Sequence, residues 1–293
     1  MMRARKVSRD QLKTIGSEEW VDHSRSPFVD GDECWVPVRE GMPFDRDIGR
    51  QPQYAGRGFY LIGDVAVIHG DRPAPAQVDE IVRFRNPRGV LWIESLHEVT
   101  RTPQTEILFG TVGEVRHRES GYTFILDPRK VMFSQGNRTE KMRIADLIRA
   151  GPGNERVADM FAGIGYFSLP AAGAGARVHA MEINPVAFGY LERNIRENPV
   201  PGLVEANLGD CRKLLSGTYD RILMGHFDAI TMFASALHHV KTGSVIHLHS
   251  IGPAGDQIHA ALESAGFSAT IQVHKVKKYR PHAWHVVQDV RIV

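Results

Sequence analysis

The sequence predicts an α/β protein in which a doubly wound, Rossmann-like sheet over residues 127–293 follows a smaller β-rich domain over residues 1–126. Strands and helices alternate after Phe133, and a glycine turn follows the first strand of that series. The first half is rich in proline and glycine and carries short strand-like runs. A chain of 293 residues is long enough for about two domains, in keeping with this division.

The pattern of the first half indicates strands joined by turns. A loop is expected at residues 71–77, where Pro73 and Pro75 interrupt the pattern. The turn Glu119-Ser120-Gly121 indicates a hairpin with the strand that follows it. The strands predicted here are a strand or strand pair at 58–68, then 89–96, 106–115 and 122–126.

The change to alternating elements begins with a helix near Asn137. Asn137 followed by Glu140 is typical of a helix N-cap, and apolar residues at helical spacing continue until Gly151. Pro185 stands in the first turn of a later helix. The further predicted strands are 157–161, 177–181, 203–207, 221–224, 244–248, 268–275 and 283–293, and the further helices are 166–172, 185–198, 231–240 and 256–265. Such alternation predicts a mainly parallel sheet, whose ligands bind beyond the carboxyl ends of its strands.

Composition excludes several classes of protein. Apolar residues make up 42% and charged residues 24% of the chain, which is ordinary for a soluble domain. No window approaches the roughly 18 apolar residues of a membrane span, and no apolar stretch follows the basic N-terminus as in a signal peptide. We therefore expect a cytoplasmic protein without a membrane partner.

Cysteine and histidine spacing gives no metal pattern. Cys34 and Cys211 are far apart, and no CxxC motif is present. His247 and His249 would share one face of a strand, but no third ligand is evident. We expect no metal, and we expect these histidines to pack or to form hydrogen bonds.

Basic residues cluster although the net charge is only +2. Such clusters can neutralise phosphates, yet most basic runs are solvated faces, so the clusters alone do not establish RNA binding. The three clusters are Arg3, Arg5, Lys6, Arg9 and Lys13; Arg116 and Arg118; and Lys275, Lys277, Lys278 and Arg280.

The run from Asp159 to Gly165 is a candidate ligand loop. Gly163 and Gly165 allow a sharp turn and a close approach of the backbone to a ligand. A dinucleotide fingerprint would have a third glycine where Ser168 stands, so a nucleoside ligand is the better interpretation. An acidic residue two positions before an aromatic one, Asp159 and Phe161, strengthens the interpretation of this run as a ligand loop.

Two more strand ends carry acidic residues. Glu182 follows the glycine turn by about 20 residues, where an acid can accept both ribose hydroxyls; stabilisation of the next helix N-terminus is the alternative. Asp210, before Cys211, could accept from an adenine amino group, or it could be a turn residue after Gly209.

The end of the strand at 221–224 faces the reacting centre in folds of this type. Amino-group N-methyltransferases commonly place an Asn-Pro-Pro motif there to hold the target nitrogen. This chain has Met224-Gly225-His226 instead. His226 could serve the site or simply pack, and the sequence leaves both open.

Several of these motifs, in this order, resemble the tRNA wybutosine-synthesizing protein 2 family in its archaeal form. The resemblance covers about residues 127–293. The motifs that carry it are Phe133-Ser134-Gln135-Gly136-Asn137-Arg138-Thr139-Glu140, the run Asp159 to Pro170, Glu182-Ile183-Asn184-Pro185, Asp220 to Gly225, Ile246-His247-Leu248-His249, and Tyr279 to Val287.

The resemblance implies a class I S-adenosylmethionine-dependent fold and a specific reaction. The family transfers the 3-amino-3-carboxypropyl group of S-adenosylmethionine to a carbon of 4-demethylwyosine at position 37 of phenylalanine tRNA. The implied partners are therefore this cofactor and the tRNA anticodon loop.

The resemblance also implies cofactor contacts. It assigns Ser134 and Lys141 to the cofactor, Glu182 to the ribose, and Asp210 with Cys211 to the adenine. Together with the loop residues named above, the predicted cofactor-binding set is Ser134, Lys141, Asp159, Phe161, Gly163, Glu182, Asp210 and Cys211. A sulfonium is already a good leaving group, so no catalytic acid or base is predicted.

Two other functions compete with this one. A tRNA guanine-N1 methyltransferase acting at position 37 shares the sheet and the cofactor loop, but it carries the Asn-Pro-Pro type of motif that is absent here. An RNA-binding protein with a vestigial cofactor fold would not need the intact set Asp159, Gly163, Gly165, Glu182 and Asp210.

Overall fold

The computed structural model divides the chain into two compact units, Met1–Gly56 and Arg57–Val293. Each unit is described by itself below. The structure describes residues 2–30, 33–48, 58–97, 100–200, 202–280 and 282–293; the side chains of Lys13 and Arg280, two members of the predicted basic clusters, lie outside the described part.

The division between the two compact units, after Gly56, comes earlier in the chain than the predicted domain boundary at residue 126. Val67, Leu91 and Phe124 precede that residue, yet they belong to the same hydrophobic cluster as Val157 of the later sheet. Shared burial of this kind groups the strands before residue 126 with the second unit. The boundary at residue 126 stays a prediction.

The first unit contains one four-stranded antiparallel sheet among its described residues. Its strands are β1 (Met2–Val7), β2 (Phe28–Asp30), β3 (Glu33–Pro37) and β4 (Arg46–Ile48). Their order is β2-β3-β1-β4. Cys34, Trp35 and Val36 of β3 are buried and form the centre of this unit, as expected for an interior strand.

A second four-stranded sheet opens the second unit. Its elements are β5 (Tyr60–Ile62), β6 (Val65–His69), α1 (Pro75–Arg85), β7 (Gly89–His97) and β8 (Thr102–Gly110). β5 and β6 form the predicted strand pair, turning at Gly63 with a φ of 58°. β6 and β7 are parallel and joined by α1.

Two predictions for this sheet were wrong in extent. Helix α1 was not predicted, because Pro73 and Pro75 indicated only a loop; Pro75 is in fact the first helical residue, where its missing N–H is harmless. β8 begins and ends earlier than the predicted strand 106–115, since Gly110 leaves the extended region with a φ of 62°.

The predicted hairpin is confirmed as β9 (Val115–Glu119) and β10 (Tyr122–Leu126). Its turn has positive φ at Ser120 (52°) and Gly121 (87°), the geometry that matches the twist of a two-residue hairpin. The amide of Asn194 fixes the hairpin against the later sheet, since its Oδ1 accepts from the Ile125 N–H at 2.7 Å and its Nδ2 donates to the Ile164 carbonyl at 2.9 Å.

A seven-stranded sheet forms the rest of the second unit and confirms the predicted doubly wound architecture. Its strands are β11 (Arg156–Asp159), β12 (Arg177–Glu182), β13 (Val204–Leu208), β14 (Arg221–Met224), β15 (Val245–Ile251), β16 (Ala269–Arg280) and β17 (Ala283–Ile292). The order is β13-β12-β11-β14-β15-β17-β16. The first five strands in that order are parallel, and β17 is antiparallel to both neighbours.

The helices around this sheet follow the predicted pattern, with bounds that differ from the predicted ones by one or two residues for α3, α4 and α7. They are α2 (Arg138–Arg149), α3 (Ser168–Gly173), α4 (Pro185–Glu197), α5 (Cys211–Leu214), α6 (Phe233–Leu237) and α7 (Gly255–Ala265). The short α5 was not predicted, and the predicted helix 231–240 is a 3-10 turn at Ala229–Met232 followed by α6.

The predicted cap of α2 was wrong in detail. Asn137 stands at the N-cap position, but its side chain makes no capping hydrogen bond, and its buried Oδ1 has no partner among the described residues. Glu140 accepts from Arg143 at 2.8 and 2.7 Å instead of returning to the cap. No helix in the described ranges is long and apolar enough to cross a membrane.

Candidate functional site

Two of the predicted site residues and the Met224-Gly225-His226 segment lie at the carboxyl edge of the seven-stranded sheet. Asp159 ends β11, Glu182 ends β12 and Met224 ends β14. β12 and β14 flank β11 on opposite sides, so the strand order reverses here. This reversal is the switch point at which an open α/β sheet leaves a crevice for a ligand.

The glycine turn after β11 has the backbone that only glycine adopts easily. Gly163 and Gly165 have φ values of 58° and 102°. A Cβ at Gly163 would also lie 2.7 Å from a ring carbon of Tyr166. The predicted sharp turn is therefore confirmed, and the ring of Tyr166 packs against it.

Glu182 is locked to the glycine turn. The Gly163 N–H donates to Oε2 and the Asn184 N–H donates to Oε1, both at 2.7 Å. Burial raises the pKa of Glu182, and these backbone donors oppose that rise. Each oxygen retains a lone pair that can accept from a ligand hydroxyl.

The alternative role of Glu182, stabilising the next helix, is filled by another residue. Oδ1 of Asn184 accepts from the N–H of Val186 at 2.9 Å and of Ala187 at 3.4 Å, which caps α4. The geometry therefore favours the ligand-binding role for Glu182.

Asp159 stabilises the glycine loop through hydrogen bonds. Its fully buried carboxylate accepts from Ser168 Oγ at 2.7 Å and from the Phe161 N–H at 3.4 Å. Burial raises its pKa to about 6. Direct contact of Asp159 with a cofactor stays a prediction, while its role in shaping the loop is visible.

Phe161 and His226 meet across the switch point. Their rings stack with centroids 5.5 Å apart and 28° between planes. Burial, and then the charge of Arg101, lower the pKa of His226, so its imidazole is neutral near pH 7. The strand end that lacks an Asn-Pro-Pro motif thus contacts the predicted cofactor loop.

Asp210 and Cys211, which follow β13, make contacts within the protein. Asp210 caps α5 by accepting from the Arg212 N–H at 3.0 Å, and it pairs with the Arg212 side chain, which lowers its pKa. Cys211 is buried, and burial raises its pKa to about 11, so the thiol stays protonated. The turn role of Asp210 is therefore realised, and the adenine contact stays a prediction.

Lys141 is buried in an ion pair. Its Nζ donates to Glu119 Oε1 at 2.8 Å, and the side chains of both residues are at most 5% exposed. The rings of Phe133 and Tyr166 lie 5.1 and 5.0 Å from the ammonium. Ser134 begins the 3-10 turn that leads into α2. Cofactor contacts by Lys141 and Ser134 stay predictions.

Two cations of the site were not predicted as site residues. Arg101, in the turn before β8, places its guanidinium 5.4 Å from the Phe227 ring centroid. Lys277 of β16 lies directly against Gly136. The basic cluster in the sequence contained Lys277, but nothing in the sequence distinguished it from its neighbours or indicated Arg101.

The paired histidines of β15 form hydrogen bonds, as expected. His247 lies 2.6 Å from Asp289 through Nδ1 and 2.6 Å from Arg221 through Nε2. His249 Nδ1 is 3.0 Å from His285 Nε2. Among the residues with described positions, no group of three His, Cys, Asp or Glu side chains is placed to hold a metal.

The family of the chain follows from comparison with known proteins. A family model described as the TRM5/TYW2 methyltransferase domain matches residues 115–277, more than half of the chain. The chain belongs to the TRM5/TYW2 family. The matched range contains the switch point and every residue of the predicted cofactor set.

Both branches of the TRM5/TYW2 family resemble this chain. The tRNA(Phe) (4-demethylwyosine(37)-C(7)) aminocarboxypropyltransferase of Methanocaldococcus jannaschii is 34% identical over 249 residues, 80% of this chain and 98% of the relative. The structure of P. horikoshii TYW2 in complex with MeSAdo has a TM-score of 0.69 at 30% identity, covering 80% of this chain and 90% of that one. The structure of Trm5b from Pyrococcus abyssi has a TM-score of 0.73 at 27% identity, covering 100% and 99%.

Proposed function

We propose that this protein binds S-adenosylmethionine and transfers its 3-amino-3-carboxypropyl group to 4-demethylwyosine at position 37 of phenylalanine tRNA, acting in the cytoplasm. A relative that is 34% identical over 80% of the chain bears the name of this activity. The proposal also rests on the switch-point site, because a family fold alone does not decide between two reactions.

The end of β14 is the observation that favours this reaction. Met224 is fully buried, and a Cβ at Gly225 would lie 3.4 Å from the Phe167 ring. His226 is turned onto Phe161. This strand end thus offers no side-chain amide to steady a target nitrogen, and a carbon acceptor needs less of that hydrogen bonding.

The site fits the proposed cofactor at two points. Glu182 presents a fixed carboxylate suited to ribose hydroxyls. The Gly163 turn, with its positive φ of 58°, brings a backbone N–H to that carboxylate and adds no side chain of its own beside it. When bound, S-adenosylmethionine supplies an electrophilic carbon beside a sulfonium that leaves as a neutral thioether.

The residues of the site are suited to binding and orientation. The Cys211 thiol is buried and protonated, so it is no nucleophile. The His226 imidazole is neutral and stacked, so it is no acid near pH 7. Alignment of the acceptor with the donor carbon can then supply most of the rate.

An exposed aromatic and basic surface near the end of β16 supports a tRNA partner. Tyr279 and Trp284 are 51% and 40% exposed. The ammonium of Lys275 lies 5.3 Å from the Trp284 ring centroid. Unpaired bases stack on such rings while neighbouring cations meet phosphates.

Transfer of two labels tests the proposed reaction. The protein is incubated with 4-demethylwyosine tRNA and S-adenosylmethionine labelled separately in the carboxyl carbon and in the methyl group. We expect the carboxyl label to enter the tRNA and the methyl label to remain in the nucleoside product. Entry of the methyl label alone would establish a methyltransferase, and entry of neither would favour an RNA-binding protein.

A guanine-N1 methyltransferase is the second candidate. It is favoured by the Trm5b structure, which aligns with the whole of this chain, whereas the TYW2 structure covers 80% of it. A tRNA carrying unmodified guanine at position 37 is therefore the control acceptor. Methyl transfer to that tRNA would support the second candidate.

A further inference from the structure

Some cations around the site have a carboxylate partner and others have none. Lys141 is neutralised by Glu119 at 2.8 Å. Within the part of the chain that the structure describes, neither Arg101 nor Lys277 has a carboxylate within ion-pair distance. Both are half-buried, and burial of a cation without a counter-charge is unfavourable. A bound anion would remove that penalty.

We propose that Lys277, with Arg101 beside it, binds the carboxylate of the aminocarboxypropyl group of S-adenosylmethionine. This inference rests on the proposed function and names the part of the cofactor that determines which carbon is transferred. An ammonium and a guanidinium are the side-chain groups suited to a carboxylate.

Lys277 is positioned by a glycine. Gly136 lies in the 3-10 turn Gln135–Asn137, directly after Ser134. A Cβ on Gly136 would collide with the ammonium of Lys277 and would lie 3.0 and 3.1 Å from its Cδ and Cε. The bare backbone at Gly136 therefore lets Lys277 lie over the segment that precedes α2, close in sequence to Ser134, which the resemblance assigned to the cofactor.

The surroundings of Lys277 are positive. Burial lowers its pKa, and the charge of Arg101 lowers it further. Burial first, and the charge of Lys277 after it, lower the pKa of His69 and of His285, which places both imidazoles close to this cation. Lys277 and Arg101 together therefore create a positive potential that suits a small anion.

The position also bears on which carbon reacts. Arg101 lies over Phe227, and the preceding residue His226 stacks on Phe161 of the glycine loop. Phe227 contacts Tyr279 and His285, with centroids 5.4 and 5.0 Å apart. A carboxylate held by these cations draws the aminocarboxypropyl chain toward this aromatic cluster, next to the exposed surface proposed for the tRNA.

A pair of ligands that differ in this group tests the inference by calorimetry. S-adenosylmethionine carries the aminocarboxypropyl group, and 5′-methylthioadenosine lacks it. We expect Lys277→Gln to weaken S-adenosylmethionine binding by roughly ten- to a hundredfold, the range for a charged hydrogen bond. Binding of 5′-methylthioadenosine should be unchanged.

Two further variants control for folding and for general charge. Lys278→Gln removes an exposed cation from the next position and should leave both affinities unchanged. Lys277→Arg keeps the charge and should recover most of the S-adenosylmethionine affinity. Thermal unfolding of each variant verifies that the fold is retained.

The outcomes separate this inference from the proposed function. If the unsubstituted protein binds neither ligand, the proposed function fails, and the inference fails with it. If it binds both, and Lys277→Gln weakens both equally or neither, only the inference is overturned. Loss of tRNA affinity in Lys277→Gln with S-adenosylmethionine affinity intact would assign the cation to an RNA phosphate and would also overturn it.

Discussion

The carboxylate of Glu182 is oriented by backbone donors on both oxygens, from Gly163 and from Asn184. Orienting an acceptor beforehand reduces the entropy lost when a ligand binds. Burial adds a second effect, because it raises the pKa of this carboxyl group. The ionised form accepts ribose hydroxyls best, so ligand binding and protonation compete at Glu182.

We therefore expect Glu182→Ala to weaken S-adenosylmethionine binding by about 1.5–3 kcal/mol, the range for hydrogen bonds to a charged group. Since the pKa of Glu182 is raised, the affinity of the unsubstituted protein should fall on acidification, starting above the usual range for glutamate. Glu182→Gln should show a flatter pH dependence. Calorimetry at several pH values measures both effects, and unchanged affinity in Glu182→Ala would refute the ribose contact.

The acidic site residues at strand ends could be located from the sequence, whereas the cations of the site could not. Asp159 and Glu182 end apolar runs, so periodicity and the glycine turn located them together. Lys277 and Arg101 come from distant elements, and only tertiary packing brings them near the loop. The sequence likewise gave no sign that Lys141 would be neutralised by Glu119, because the pairing joins a helix to a hairpin 22 positions earlier.

At the scale of elements, the Lys141–Glu119 pair fastens hairpin β9–β10 to helix α2. Both side chains are almost fully buried. Removing one member of a buried pair leaves an unpaired charge, which typically costs about 3–5 kcal/mol, whereas replacing both by apolar groups is often neutral.

We expect Lys141→Met to lower the free energy of unfolding by about 3–5 kcal/mol. The double variant Lys141→Met with Glu119→Leu should recover most of that loss. Arg149→Met is the control, because the pair of Arg149 with Asp146 is exposed and should contribute less than about 1 kcal/mol. Urea unfolding measures these three variants and the single variant Glu119→Leu, and a double variant as unstable as the sum of the two single variants would contradict the pairing.

Elements defined by periodicity were predictable, and elements defined by local hydrogen bonds were less so. Parallel strands of the seven-stranded sheet such as β14 and β15 are short and largely buried, and their regular alternation with helical patterns indicates this architecture. Helix α1 begins at Pro75, where the Ala74 N–H donates to the Gln77 side chain at 3.0 Å, and proline content alone indicated a loop. The four residues of α5 are too few for a helical period to appear.

At the scale of the whole molecule, charge is distributed in clusters although the net charge is only +2. Phosphate contacts by such clusters release counterions, so tRNA affinity should fall steeply as salt rises. Cofactor affinity should change less, because Glu182 is partly buried and salt screens partly buried charges less than exposed ones.

We expect Lys275→Gln to reduce the slope of log affinity for tRNA against log salt by about 1, as for one lost phosphate contact. Lys130→Gln, an exposed lysine outside the three clusters, should leave the slope unchanged. Filter binding over a salt series measures these slopes. A flat salt dependence for the unsubstituted protein would remove the basic clusters from the account of tRNA binding.

The place of β17 between β15 and β16 has a consequence for synthesis on the ribosome. When the chain has emerged only as far as Arg280, the edge of β15 is unpaired and β16 lacks the strand on which it pairs in the finished sheet. Unpaired strand edges are sites of misassembly in nascent chains. The last three strands of the sheet order therefore join in one late step, when Ala283–Ile292 emerges. His285, the strand partner of Lys277, arrives in that same step, so the surroundings proposed to hold the cofactor carboxylate are completed only then.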